Sequence, residues 1–261
     1  MAKKSVFREE NFISGVFNYC NAWCERCPFR LRCRNYAMGA DEDGNPIDYR
    51  AEGGREKIEE NLRKAFEMPE NEDQERDFDP EEMMDMEEPD PEEVKEWEEE
   101  EERERTVARE HPLHAITMEY SDRSREWLDA NEERIDQRLR VLQASLETHN
   151  DGSRLANASE VVHWYVFMVH VKSHRALRGM GDMHEEHWGS PVQSDANGSA
   201  KVALLGAEES LSAWIDFTET LPGSQEELMP LISMLRRIIR LIERTFPDVR
   251  KFVRAGFDDG Q

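Results

Sequence analysis

Apolar residues recur at helical spacing through most of the second half of the chain. From Ser121 to Glu147 they fall at Trp127, Leu128, Ile135, Leu139, Leu142 and Leu146, which predicts an amphipathic helix. Asn150-Asp151-Gly152 then predicts a turn. Asn157 followed by Glu160 reads as a capping box. It opens a helix running to about Leu177 and stopping before Gly179-Met180-Gly181. A loop to Asn197 leads into a helix over 198–220, carrying Val202, Leu205, Leu211, Trp214, Ile215 and Phe217. Leu221-Pro222-Gly223 breaks it, and Ser224 with Glu227 reads as a second capping box. A last long helix ends before Pro247, with a short tail helix to about Phe257. Near the N-terminus, the Gly- and Asp-containing loop Gly39 to Gly54 precedes a short amphipathic helix from Arg55 to Phe66. No pair of alternating runs is joined by a hairpin turn, so no strand is required. The expected fold class is all-α: a helical bundle over 105–261, preceded over 1–66 by a small four-cysteine metal-binding module.

Charge divides these two parts. Residues 67–104 hold 22 acidic residues against Arg76, Lys95 and Arg103, so most of the formal charge of −24 lies in this one segment. Four prolines punctuate it, at 69, 80, 89 and 91, and its apolar residues are sparse. Such a segment buries too little surface to offset its ordering entropy, so a disordered acidic linker is expected. A helix from Pro91 toward Arg105 is the one ordered alternative, opposed by its like charges. The linker reading competes with that of an acidic tether docking on a basic partner.

The net charge disfavours autonomous nucleic-acid binding, because it repels the phosphate backbone. No apolar run approaches the length of a membrane span; the longest, Val161 to Val171, is short and carries two histidines. The opening Met-Ala-Lys-Lys-Ser has no apolar stretch behind it, so a cytoplasmic location is expected.

All four cysteines fall in one short segment: Cys20-Asn-Ala-Trp-Cys24-Glu-Arg-Cys27-Pro-Phe-Arg-Leu-Arg-Cys33. Core cysteines would scatter among the helices, so this clustering points to a shared metal centre. Four thiolates close in sequence wrap an iron–sulfur cluster, and proline directly after a ligand suits such a loop. The same set would hold structural zinc, with Cys24 and Cys27 as the tight half of a tetrahedron. Disulfides are disfavoured in the cytoplasm. Arg26, Arg30, Arg32 and Arg34 make the segment locally basic. They would offset the charge of about −2 that four thiolates give either centre. Phe7, Phe12, Phe17, Trp23, Phe29 and Tyr36 are candidates to shield it.

The stretch Cys24-Glu-Arg-Cys27-Pro28-Phe29-Arg30-Leu31-Arg32-Cys33-Arg34-Asn35-Tyr36-Ala37 resembles the cysteine motif of the WhiB-like iron–sulfur proteins. The resemblance implies ligation of a four-iron cluster by Cys24, Cys27 and Cys33, with Cys20 as the fourth ligand. In that family the fourth cysteine lies well upstream, and a Gly-rich turn and a basic tail follow the motif; this chain has neither, so a transcriptional role does not carry over. Cys20, Cys24 and Cys27 also match the spacing of radical SAM enzymes, but the repeated strand–helix units of that fold are missing.

A second candidate lies on the helix through Val161. Glu160, His163, His170 and His174 fall within an arc of about 80° on a helix that is apolar almost all round, which predicts a central position in the bundle. Glu160 and His163 form one E-x2-H element of a carboxylate-bridged di-metal site, but no second copy exists and Glu208, Glu209 and Asp216 offer single carboxylates. The competing reading is core histidines bonded to neighbouring helices. Asp182 and His184-Glu185-Glu186-His187 form a polar knot that could join His174 around a divalent ion. No nucleophile elbow, Walker A loop or dinucleotide fingerprint occurs.

The sequence thus predicts a cytoplasmic protein holding an iron–sulfur cluster, of the 4Fe-4S kind, on Cys20, Cys24, Cys27 and Cys33. It would act in electron transfer or redox sensing, with another protein as partner. The alternative is a zinc-held helical adaptor without redox chemistry.

Overall fold

The computed structural model describes residues 5–67, 90–144, 149–181 and 190–259. Among the described residues it is built from helices and turns, with one isolated bridge between Ala40 and Pro46. The helices are α1 (Arg34–Met38), α2 (Gly54–Glu67), α3 (Pro91–Glu110), α4 (Pro112–Gln143), α5 (His149–Arg178), α6 (Asp195–Thr220) and α7 (Gln225–Thr245). The chain divides into two compact units. One comprises Met1–Glu99 with Arg254–Gln261, the other Glu100–Val253. The all-α expectation holds, and no helix among the described residues is long and apolar enough to cross a membrane.

The second unit is organised by four long helices, α4 to α7. Proline at the first helical position and His111, whose Nδ1 accepts the Leu113 N–H at 3.1 Å, start α4. Ser194 caps α6 by accepting the Asn197 N–H at 3.3 Å. The N-terminal half of α6 buries Ala196, Gly198, Ser199, Ala200, Ala203 and Gly206, so α5 can come close. A Cβ on Gly206 would stand 2.8 Å from the Tyr165 ring. Larger side chains fill the other end of the core: Tyr120, Trp214, Phe217 and Phe246 are fully buried, and Trp214 Nε1 donates to Tyr120 Oη at 3.0 Å. Leu228, Leu231, Ile232, Leu235, Ile238 and Ile242 form the single apolar stripe of α7. Arg138 and Arg134 of α4 donate to the Thr220 and Pro222 carbonyls at 2.8 Å, serving groups that the end of α6 leaves unpaired.

Several boundaries differ from expectation. The turn expected at Asn150-Asp151-Gly152 lies inside α5, and so do Asn157 and Glu160, which therefore cap nothing. Gly152 serves a close approach instead: a Cβ there would lie 3.3 Å from Leu142 Cβ and Gln143 Cγ. The second expected capping box is also replaced. The Ser224 hydroxyl donates to the Phe217 and Leu221 carbonyls, while Glu227 accepts from Trp127 and Arg134 of α4. Nor is α5 buried all round, since His163, Phe167 and Val171 are exposed.

Of the expected acidic linker 67–104, residues 68–89 lie outside the described residues, and the part from Pro91 onward is helical as α3. Ion pairs from Lys95 to Glu99, Arg103 to Glu100 and Arg105 to Glu101 relieve part of the like-charge repulsion there. The tail differs as well. Residues 254–259 form turns rather than a helix, and belong with the cysteine unit rather than with the bundle.

Candidate metal centre

The cysteine segment is a series of tight turns. Cys20 follows a turn opened by Gly15, whose φ of 73° suits glycine. Two residues on, Ala22 takes φ 54°, a left-handed conformation that costs a non-glycine residue about 1–2 kcal/mol. Beside that kink the Ala22 N–H meets Cys20 Sγ at 3.4 Å, and an inverse γ-turn at Trp23 (φ −86°, ψ 73°) brings the Cys24 N–H onto the Ala22 carbonyl at 3.1 Å. The chain is thereby folded back between the first two cysteines. A single 3-10 turn, Cys24–Arg26, then closes with the Cys27 N–H on the Cys24 carbonyl at 3.2 Å. A second, Arg30–Arg32, delivers Cys33 to the start of α1.

All four cysteines are free thiols, half-buried at 20, 24 and 27 and buried at 33. They lie in one another's electrostatic field. Burial pushes the Cys24 thiol up, and the charges of Cys20, Cys33, Cys27 and Glu25 push it further. Burial also raises Cys33; the backbone N–H groups of Tyr36 and Asn35 pull it back, and Cys20 and Cys27 raise it again. In both, burial comes first, and the charges of neighbouring cysteines act in the same direction. A bound cation would reverse that penalty, because metal ligands must be deprotonated. The residues therefore fit a metal centre in donor type and number. As the side chains stand, no group of three or more His, Cys, Asp or Glu among the described residues is arranged to hold a metal ion.

The surroundings are ordered by the arginines and aromatics expected there. Arg26 stacks on Trp23 at 4.0 Å. Arg34 pairs with Glu9 at 2.6 Å and lies over the Phe12 ring. Arg32 Nε donates to the Asn11 carbonyl at 3.1 Å, and its own carbonyl accepts from Ile13. These contacts pin the N-terminal segment across the cysteine loop. Phe7 stacks with Phe12 and tilts against Tyr36. Phe17 is exposed, although its carbonyl accepts the Cys20 thiol hydrogen bond. Behind α1, Asn61 of α2 donates to the Ala40 and Met38 carbonyls at 3.0 and 3.3 Å, fixing the helix that Cys33 precedes.

A core of Ile13, Val16 and Cys33 sits beneath the loop, packed by Phe29, Tyr36, Ala255 and Phe257. The last two come from the far end of the chain. The Phe257 ring meets Phe29 edge-on at 5.0 Å. Gly256 approaches so closely that a Cβ would stand 3.2 Å from both Ile13 and Val16. Arg254 and Asp258 lock this tail, with Nε–Oδ2 at 2.9 Å. No periodicity marks these residues, so nothing in the sequence could have assigned them to the cysteine core.

The histidine candidates divide. His163 is exposed and its Nδ1 lies 2.7 Å from the Ser159 carbonyl; Glu160 is also exposed. Neither joins His170 and His174, which face α4 and meet His114, a residue the sequence reading missed because it stands alone before an unremarkable turn of helix. Glu208 pairs with Arg250 and Asp216 with Arg154, while Glu209 is exposed. Asp182, His184, Glu185, Glu186 and His187 lie outside the described residues. Comparison with known proteins gave no match to any family, curated protein or solved structure.

Proposed function

We infer that the cysteine unit is an iron–sulfur module acting in electron transfer or redox sensing, with Cys20, Cys24, Cys27 and Cys33 as ligands. The observation that carries this reading is four free thiols held in one electrostatic neighbourhood by a loop with no other evident work. When bound, the cluster would supply one-electron chemistry. The chain's own part is to prepare the place. Ala22 brings its N–H to Cys20 Sγ, a hydrogen bond of the kind that tunes such centres. Cys33 is shielded by Phe29, Tyr36 and Phe257, which lowers the local dielectric. Arg26, Arg30, Arg32 and Arg34 supply positive charge against an excess of thiolates. Free thiols of this kind fit a reducing cytoplasm, and the partner would be another protein, exchanging electrons or reading the redox state.

The test is metal and acid-labile sulfide on protein purified without oxygen, together with its visible spectrum. About four iron and four sulfide per chain, with brown absorption, is the expected result for a four-iron cluster. One zinc per chain without sulfide would overturn the redox reading and leave a zinc-held interaction unit.

A further inference from the structure

Three imidazoles from two helices of the second unit are packed against one another. The ring of His114, on α4, lies 4.9 Å from that of His170 and 5.0 Å from that of His174, both on α5. The rings of His170 and His174 are 6.2 Å apart and nearly parallel. His114 Nδ1 and His174 Nδ1 are separated by 3.2 Å, a hydrogen-bond contact. Two nitrogens can make such a contact only when one carries a proton and the other a lone pair. His170 Nδ1 stands 3.0 Å from Thr117 Oγ1. The Thr117 hydroxyl already donates to the Leu113 carbonyl at 2.8 Å, so it accepts from His170. That fixes neutral His170 as the Nδ1–H form with its lone pair on Nε2.

We propose that His114, His170 and His174 form an acid-sensitive seam between α4 and α5, closed while His114 and His174 share a proton and forced apart when each carries its own. The seam is half-buried, so protons can reach it. One added proton leaves an N–H···N bond between His114 and His174. A second puts two N–H groups face to face at 3.2 Å and destroys the contact.

The neighbouring charges decide how willingly the seam accepts protons. From α3, Arg109 adds positive charge near His114 and His174; from α5, Arg178 does so near His174. Asp122 of α4 acts the other way, on His170. Other acidic groups nearby are engaged with arginines: Glu101 with Arg178 and Arg105, Glu102 with Arg109, and Asp195 with Arg175. Glu104 of α3 borders the cleft beside His174 and Arg178. Burial comes first in holding each of the three below the ordinary histidine range. His111, at the cap of α4, is lowered by burial as well.

The sign follows directly. Groups whose pKa is lower when folded bind fewer protons in the folded state, so the unfolded state gains as pH falls below its ordinary value of about 6.5. Stability should be flat above that pH and decline below it. The test is denaturant unfolding of the full chain between about pH 7 and pH 5.5, comparing wild type with the triple variant His114→Gln/His170→Gln/His174→Gln. His111 is retained in both, and His163→Gln serves as the exposed control. The wild-type unfolding constant should rise at least about tenfold more than that of the triple variant across the last pH unit. Parallel pH profiles would overturn the proposal. If the triple variant does not fold, imidazole NMR titration of the wild type decides. The three rings should titrate below the ordinary histidine value of about 6.5 and with mutually dependent curves; independent titration at that ordinary value would sink the seam.

Discussion

The two units solve the same problem of stability with different means. The second unit buries whole helical faces, with Trp214, Phe217, Tyr120 and the α7 stripe all at or near full burial. Among its described residues, the cysteine unit has a small core of Ile13, Val16 and Cys33, with four partly buried residues around them, and Ala40 buried besides. Its helices are short, and its loop is held mainly by backbone turns and by arginines at its rim. A core that small seldom suffices alone, and small units commonly add a metal or a cross-link. The contrast accords with the metal centre proposed above: the cysteines lie in the poorly packed unit, and the bundle contains none.

That comparison can be broken at both ends. The largest effect is expected from Cys24→Ser/Cys27→Ser, which should reduce bound metal to background and loosen the first unit, while the far-UV circular dichroism of the long helices and their cooperative unfolding persist. Collapse of both units together would show that the bundle also depends on the centre. Next, Trp214→Ala should cost the bundle about 3–5 kcal/mol through the cavity it leaves, read by denaturant unfolding, with metal content unchanged. Gly206→Ala should cost about 1–3 kcal/mol, because its Cβ would stand 2.8 Å from the Tyr165 ring of α5. The smallest change is expected for Arg154→Ala. Its ion pairs with Asp216 and Glu219 are partly exposed, so a loss of about 1 kcal/mol or less is expected, shrinking further at high salt.

Helix type and number were legible in the sequence wherever the apolar period was strong and a breaker followed. The end of α6 at Pro222-Gly223 and the end of α7 before Pro247 are both where the pattern puts them. Gly152, Asn157 and Ser224 misled for one reason. Each has a local chemistry that suits turns or caps, and each is used instead for tertiary contact or carried inside a helix by the packing of its neighbours. The cysteine loop was legible as a unit because its ligands are consecutive. Ala255, Gly256 and Phe257 were not, because contact between residues more than 200 positions apart leaves no period to read. His114 was hidden likewise: its significance depends on which face of α4 meets α5, and a single sequence does not state that pairing.

The seat of Phe257 against Phe29 and beneath Cys33 also orders events during synthesis. The cysteine loop leaves the ribosome before the bundle, yet the residues that finish its core arrive only after the bundle has been made. Domains generally fold as units while the chain emerges, so α4 to α7 can pack before the first unit has its last wall. The half-built core would meanwhile keep Cys33 open to incoming iron, zinc or oxidant. Arrival of the tail would then close over whatever has been loaded.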